Sequence, residues 1–77
     1  MAPESRIDDL IRRLERGPDT PAGLLREHLE AARSNLLNAM PEEYVFNLKL
    51  TRTALSNIED RDLQASIKAF LKDEGVD

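Results

Sequence analysis

An all-α fold, a small four-helix bundle with a short first helix and a tight turn between helices two and three, is predicted by three features of the chain. Apolar residues recur at helical spacing through nearly its whole length. Pro and Gly fall at the breaks between those stretches, and no alternating run is bounded by hairpin signals. The helices are expected near 5–16, 21–38, 41–58 and 61–74, within a single domain spanning 1–77.

The first helix is signalled by Ser5 with Asp8 three residues later, a variant capping box, followed by Ile7, Leu10, Ile11 and Leu14 at i, i+3, i+4 and i+7. Acids (Glu4, Asp8, Asp9) crowd its start and arginines (Arg12, Arg13, Arg16) its end, as the helix dipole favours. Asp8–Arg12 and Asp9–Arg13 pairs at i, i+4 are expected, which makes this charge run a self-paired solvated face rather than a phosphate site. Gly17-Pro18 then stops the helix. Thr20-Pro21 restarts the chain, with Thr as N-cap and Pro at the first helical position, where its missing N–H costs nothing.

In the second helix Leu25, Leu29, Ala32, Leu36 and Ala39 alternate steps of four and three, a bundle seam. Arg26, Glu30 and Arg33 lie opposite and read as a solvated ion-pair ladder. Leu24 and Leu37 fall off the seam, and Leu37 is a candidate contact residue. Asn38 ends this helix and Pro41 begins the next, and a turn this short favours an antiparallel pair. One long helix kinked at Pro41 is the costlier alternative, at about 3 kcal/mol for an internal proline.

The third helix is the most apolar. Tyr44, Leu48, Thr51, Leu55 and Ile58 form one stripe, and Ala54, Leu50 and Phe46 widen it to an arc of about 200°, roughly twice what a surface helix needs. Phe46 and Leu50 must therefore be covered by the first helix or by another molecule. Asp60 caps a fourth helix in which Leu63, Ile67, Phe70 and Leu71 share a face, ending at Gly75, with Val76-Asp77 frayed.

Composition narrows the chemistry. At 77 residues a single core rarely supplies more than about 3–5 kcal/mol of net stability, so support from a partner is in keeping with the size. Cys is absent and His28 is the one histidine; the residue three before it is Leu25, so neither H-E-x-x-H nor E-x-x-H is present. His28 sits at the margin of the second helix's seam and reads as a packing residue. The carboxylate pairs Glu42-Glu43, Glu59-Asp60 and Asp73-Glu74 stand near helix ends, where adjacent side chains point about 100° apart. The glycines form no phosphate-binding loop. Nor does the chain match the acyl carrier proteins, another class of small acidic four-helix domains, because Ser34 lies between Arg33 and Asn35 inside a helix, not in Asp-Ser-Leu at a helix start. No catalytic, cofactor-binding or metal-ligating residue is assigned, and a non-enzymatic protein is expected.

A formal net charge of −4 argues against indiscriminate binding to nucleic acid or anionic membranes. No apolar run approaches a membrane span, and MAPESRIDDL lacks the features of a secretory signal, so a cytoplasmic location is expected. Two functional expectations follow. The first is an interaction module that docks on a partner protein or self-associates as a homo-oligomer through Phe46, Leu50 and Leu37. The alternative is a DNA-binding, helix-turn-helix-like regulator that reads with helix 41–58 through Lys49, Arg52, Thr53, Ser56 and Asn57, an acid-free set suited to phosphates and base edges.

Overall fold

The computed structural model describes residues 2–17 and 19–76. Pro18 and Asp77, assigned from sequence to the first stop signal and the frayed end, lie outside them. In chain order the elements are α1 (Pro3–Arg13), α2 (Pro21–Leu37), α3 (Pro41–Ala54), a 3-10 turn (Leu55–Asn57) and α4 (Arg61–Asp73). The all-α, four-helix expectation holds, and no strand occurs among the described residues.

Three helices begin with Pro at the first position, and two of the four take a side-chain cap. Thr20 Oγ1 accepts from the Gly23 N–H at 2.9 Å, and Asp60 Oδ1 accepts from the Leu63 N–H at 3.0 Å. The expected Ser5–Asp8 box is absent: α1 starts two residues earlier, with Ala2 at its cap and Pro3 next. Pro3 supplies a helix-ready φ without needing a capping acceptor, and Asp8 is drawn instead to α2.

The C-terminal ends are as specific. At the end of α4 the Gly75 N–H bonds to Lys72 O and the Val76 N–H to Leu71 O, the paired bonds of a Schellman motif, with Gly75 at φ +79°. Val76 thereby turns back into the core at 4% exposure, so the expected fraying does not extend to it. The same motif ends α2, where Ala39 bonds to Leu36 O and Met40 to Asn35 O. Here the left-handed position is held by Ala39, at φ +53°, a non-glycine conformation that costs on the order of 1 kcal/mol. Ala39 is thus in the turn and exposed, not on the seam; Leu25, Leu29 and Ala32 are fully buried and Leu36 half-buried. Pro41 then opens α3, so two helices meet at a turn and no kinked single helix forms.

Helix α1 ends at Arg13, three residues short of the expected Arg16. Leu14 turns extended (φ −98°, ψ 138°), which carries its side chain into the core at 2% exposure. The carbonyls this leaves at the helix end are met from α2: the Arg26 guanidinium donates to Ile11 O at 3.0 Å and to Leu14 O at 2.8 Å, and its Nε donates to Glu30 at 2.8 Å. Arg33 pairs with Asp8 and stands 3.9 Å from Glu4. The side of α2 read as a solvated ladder is therefore the seat of α1. On α1 itself the i, i+4 pairs give way to one Arg12–Asp9 pair at 3.0 Å, since Asp8 is committed to Arg33.

The linker needs room as well. A Cβ built on Gly23 would stand 1.4 Å from the Gly17 carbonyl oxygen, so only glycine lets the chain cross the first turn of α2. On its other side α1 meets α4, where Arg6 pairs with Asp73 at 2.8 Å and lies over the Phe70 ring, 5.1 Å from its centroid. No Cα atom of α1 comes within 8 Å of a Cα atom of α3.

One contiguous core results, built from Ile7, Leu10, Ile11 and Leu14 of the first segment, the α2 seam, and Leu63, Ile67, Phe70 and Leu71 of α4. The predicted stripe of the third segment is in it: Tyr44, Leu48, Thr51, Leu55 and Ile58 are all buried. That segment is not one helix to Ile58, however. It tightens to a 3-10 turn after Ala54, and Ile58 is extended, which turns the chain toward α4. Buried Thr51 gives its hydroxyl proton to Asn47 O at 2.9 Å, and the Asn35 and Asn47 amides meet at 2.6 Å between α2 and α3.

Arg26→Met keeps the apolar stem but removes both donors from the end of α1. It is expected to cost about 1–3 kcal/mol in urea unfolding, with α1 amides losing hydrogen-exchange protection first. Arg33→Met breaks only partly exposed ion pairs and is expected to cost under about 1 kcal/mol. Equal costs for the two would contradict the assignment.

Candidate interaction surface

Because α1 is seated on α2 and α4, the outer side of α3 has no intramolecular cover. Phe46 is 59% exposed, the largest exposure among the big apolar side chains, while Leu50, one turn on, is half-buried. Val45 and Met40 are also exposed, and Leu37 is 52% exposed. Among the described residues, four of the five exposed large apolar side chains, Leu37, Met40, Val45 and Phe46, thus fall in the ten residues around the tip of the α2–α3 hairpin. Leu24 is the fifth. Leu37 does not share a face with Phe46: it stands one turn beyond Arg33, on the side of α2 that seats α1, whereas Asn35 marks the side that meets α3.

At the hairpin tip, Leu36, Ala39, Met40, Pro41 and Tyr44, with Asn35 at the edge, line an apolar groove of about 370 Å³. Sequence reasoning missed it. The Met40-Pro41 step was visible, but the groove exists only because Ala39 adopts a left-handed conformation and swings Met40 away from the α2 seam. Tyr44 forms one wall, its hydroxyl donating to Glu74 Oε1 at 2.5 Å. Burial, then the bond to Glu74, raises the Tyr44 pKa well above its usual 10.0.

The second predicted set is divided. Lys49, Arg52 and Thr53 are exposed on α3, whereas Ser56 and Asn57 are exposed on the 3-10 turn. The structure brings Arg52 and Ser56 together with Gln64 and Lys68 of α4 around a cleft of about 280 Å³ floored by Leu55, Leu71 and Val76. No carboxylate of the described residues lines it. Gln64 is partly committed, donating to Leu55 O at 3.0 Å.

A further cleft, of about 560 Å³, lies where the linker meets the starts of α2 and α4. Two of its polar groups, Thr20 and Asp60, are in use as helix caps. His28 is half-buried on α2. Among the described residues no three His, Asp or Glu side chains converge as a metal site would require, and no helix is long and apolar enough to cross a membrane. No protein-family profile, curated protein or solved structure matches the chain.

Tyr44 is the only tyrosine, so its ionisation can be followed alone by tyrosinate absorbance. Its raised pKa means that the folded state holds the proton more tightly than the unfolded state. The associated stability is complete below about pH 10 and is lost as pH rises through the folded value. Alkaline titration is expected to show little tyrosinate until the chain unfolds. Tyr44→Phe should flatten the fall of stability above pH 10, and Glu74→Gln should let Tyr44 ionise at lower pH.

Proposed function

We propose that this chain is a non-enzymatic interaction module that docks on a partner protein through the tip and outer face of the α2–α3 hairpin, with Phe46 as its main anchor and Leu50 beside it. The observation that carries this reading is the clustering of exposed large apolar residues in Leu37–Phe46, in a chain whose core closes without them. A lone exposed apolar residue needs no explanation, but four of them within ten residues at one end of a hairpin favour a contact surface there. Full burial of Phe46 against a partner would contribute roughly 1.5–3 kcal/mol, enough to make it a hot spot. Leu37 stands at the same tip but on the α1 side of α2, so it is not part of the Phe46 face.

Phe46→Ser should leave helicity unchanged and shift stability by no more than about 0.5 kcal/mol, as for other exposed positions. A photo-crosslinking phenylalanine analogue at position 46, in the full chain expressed in its own cells, is expected to give a discrete protein adduct that the same analogue at Glu15 does not. A chain that is monomeric at all concentrations and gives no adduct at position 46 would refute the reading.

A second reading is favoured by one observation, the acid-free cleft that joins Arg52 and Ser56 to Lys68. Contact with nucleic-acid phosphates there would act through charge, not through a helix in the groove, since Ser56 and Asn57 are no longer on α3. Binding of a mixed-sequence duplex should then fall steeply with salt, and Arg52→Gln and Lys68→Gln should each lower the salt slope by about 1. Absence of binding at low salt removes this reading.

A further inference from the structure

We propose that the groove at the hairpin tip takes one bulky apolar side chain from a basic amphipathic segment of the partner protein, whose cations pair with Glu42, Glu43 and Glu74. This deepens the interaction reading and rests on it for the existence of a protein partner. The shape of the groove is fixed before anything binds. Ala39 and Met40 are each held by a backbone bond to α2, Pro41 has a locked φ, and Tyr44 is tied to Glu74. A preformed apolar pocket spares the ordering cost that a flexible one would incur on binding. Met40, 40% exposed at the mouth, is the adaptable part of the wall, as methionine is at surfaces that accept varied side chains.

Charge decides the kind of partner. Glu42 and Glu43 are exposed in the first turn of α3, directly after Pro41, and neither is in an ion pair among the described residues. The Glu43 backbone carbonyl accepts from Asn47, whose amide meets Asn35 at the groove edge, and Glu74 holds the Tyr44 wall. Three acidic residues thus adjoin the groove's lining: Glu42 and Glu43 follow Pro41 directly in the chain, and Glu74 is bonded to Tyr44. Arg6, whose charge acts on the Tyr44 hydroxyl, is already committed to Asp73 and the Phe70 ring. A second copy of this chain would bring the same carboxylates and a net charge of −4 against each other, which disfavours a homodimer here. A helix with one Leu, Met or Phe flanked by Lys or Arg meets both features at once.

The test uses the full ¹⁵N-labelled chain and three synthetic peptides: an amphipathic Lys/Ala helix bearing one Leu, the same peptide with that Leu replaced by Ala, and the same peptide with every Lys replaced by Glu. The first is expected to give saturable shifts centred on Leu36, Ala39, Met40 and Tyr44. Each control peptide, and the Glu42→Gln/Glu43→Gln double variant with the first peptide, should bind at least tenfold more weakly, and added salt should weaken the complex. Phe46→Ser should still bind the peptide. Absence of saturable shifts, equal binding of the acidic peptide, or shifts centred elsewhere would overturn the inference. So would concentration-dependent shifts at these residues in the chain alone, which would make a second copy the occupant. The two readings fail separately: crosslinking at position 46 without peptide seating sinks only the groove, and peptide seating without crosslinking sinks only the Phe46 face.

Discussion

The seating of α1 on α2 is the constraint from which the rest of the molecule follows. Its energy is mainly apolar. Ile7, Leu10, Ile11 and Leu14 are all nearly fully buried, each worth roughly 1.5–3 kcal/mol, against about 1 kcal/mol or less for the partly exposed Arg33 pairs. The polar contacts contribute direction. Arg26 binds the carbonyls at one end of α1 and Arg33 the carboxylates near the other, so α1 runs antiparallel to α2. Gly23 lets the linker pass close enough for this to happen. With α1 spent on α2 and α4, nothing in the described chain is left to cover the outside of α3.

The hairpin of α2 and α3 is stiff for a different reason. Its turn is only three residues long, and the left-handed Ala39, two backbone bonds and Pro41 define it completely. A turn of that kind holds the neighbouring side chains in one arrangement. The apolar groove at the tip is its direct result, and the Tyr44–Glu74 bond carries the same rigidity across to the end of α4.

Charge is unevenly spread over this frame. Glu42 and Glu43 follow the hairpin turn at the start of α3 and Glu74 is bonded to Tyr44, while Arg52 and Lys68 flank a cleft that no carboxylate of the described residues lines. A net charge of −4 conceals that separation. The two proposed readings draw on the two signs of that charge. The acidic residues that adjoin the apolar groove are the reason a basic protein segment is the occupant proposed for it.

The sequence by itself determined the helices, their caps at Thr20 and Asp60, the seam of α2, the core stripe of α3 and the face of α4. Those features rest on local spacing and on backbone chemistry within a few residues, which a linear reading resolves. Tertiary structure decided whatever required knowing which surface lies against which. Arg26 and Arg33 have the spacing of a ladder, and Arg26 does pair with Glu30, but both also grip α1: Arg26 through unsatisfied carbonyls at its end and Arg33 through Asp8. Leu14 and Val76 leave their helices to enter the core, and only the packed chain shows the space they fill. The apolar arc of α3 was legible, but its division into buried Tyr44, Leu48 and Thr51 and exposed Phe46 was not. That division depended on where α1 would sit, and burial is a property of the assembled surface, not of any one helix.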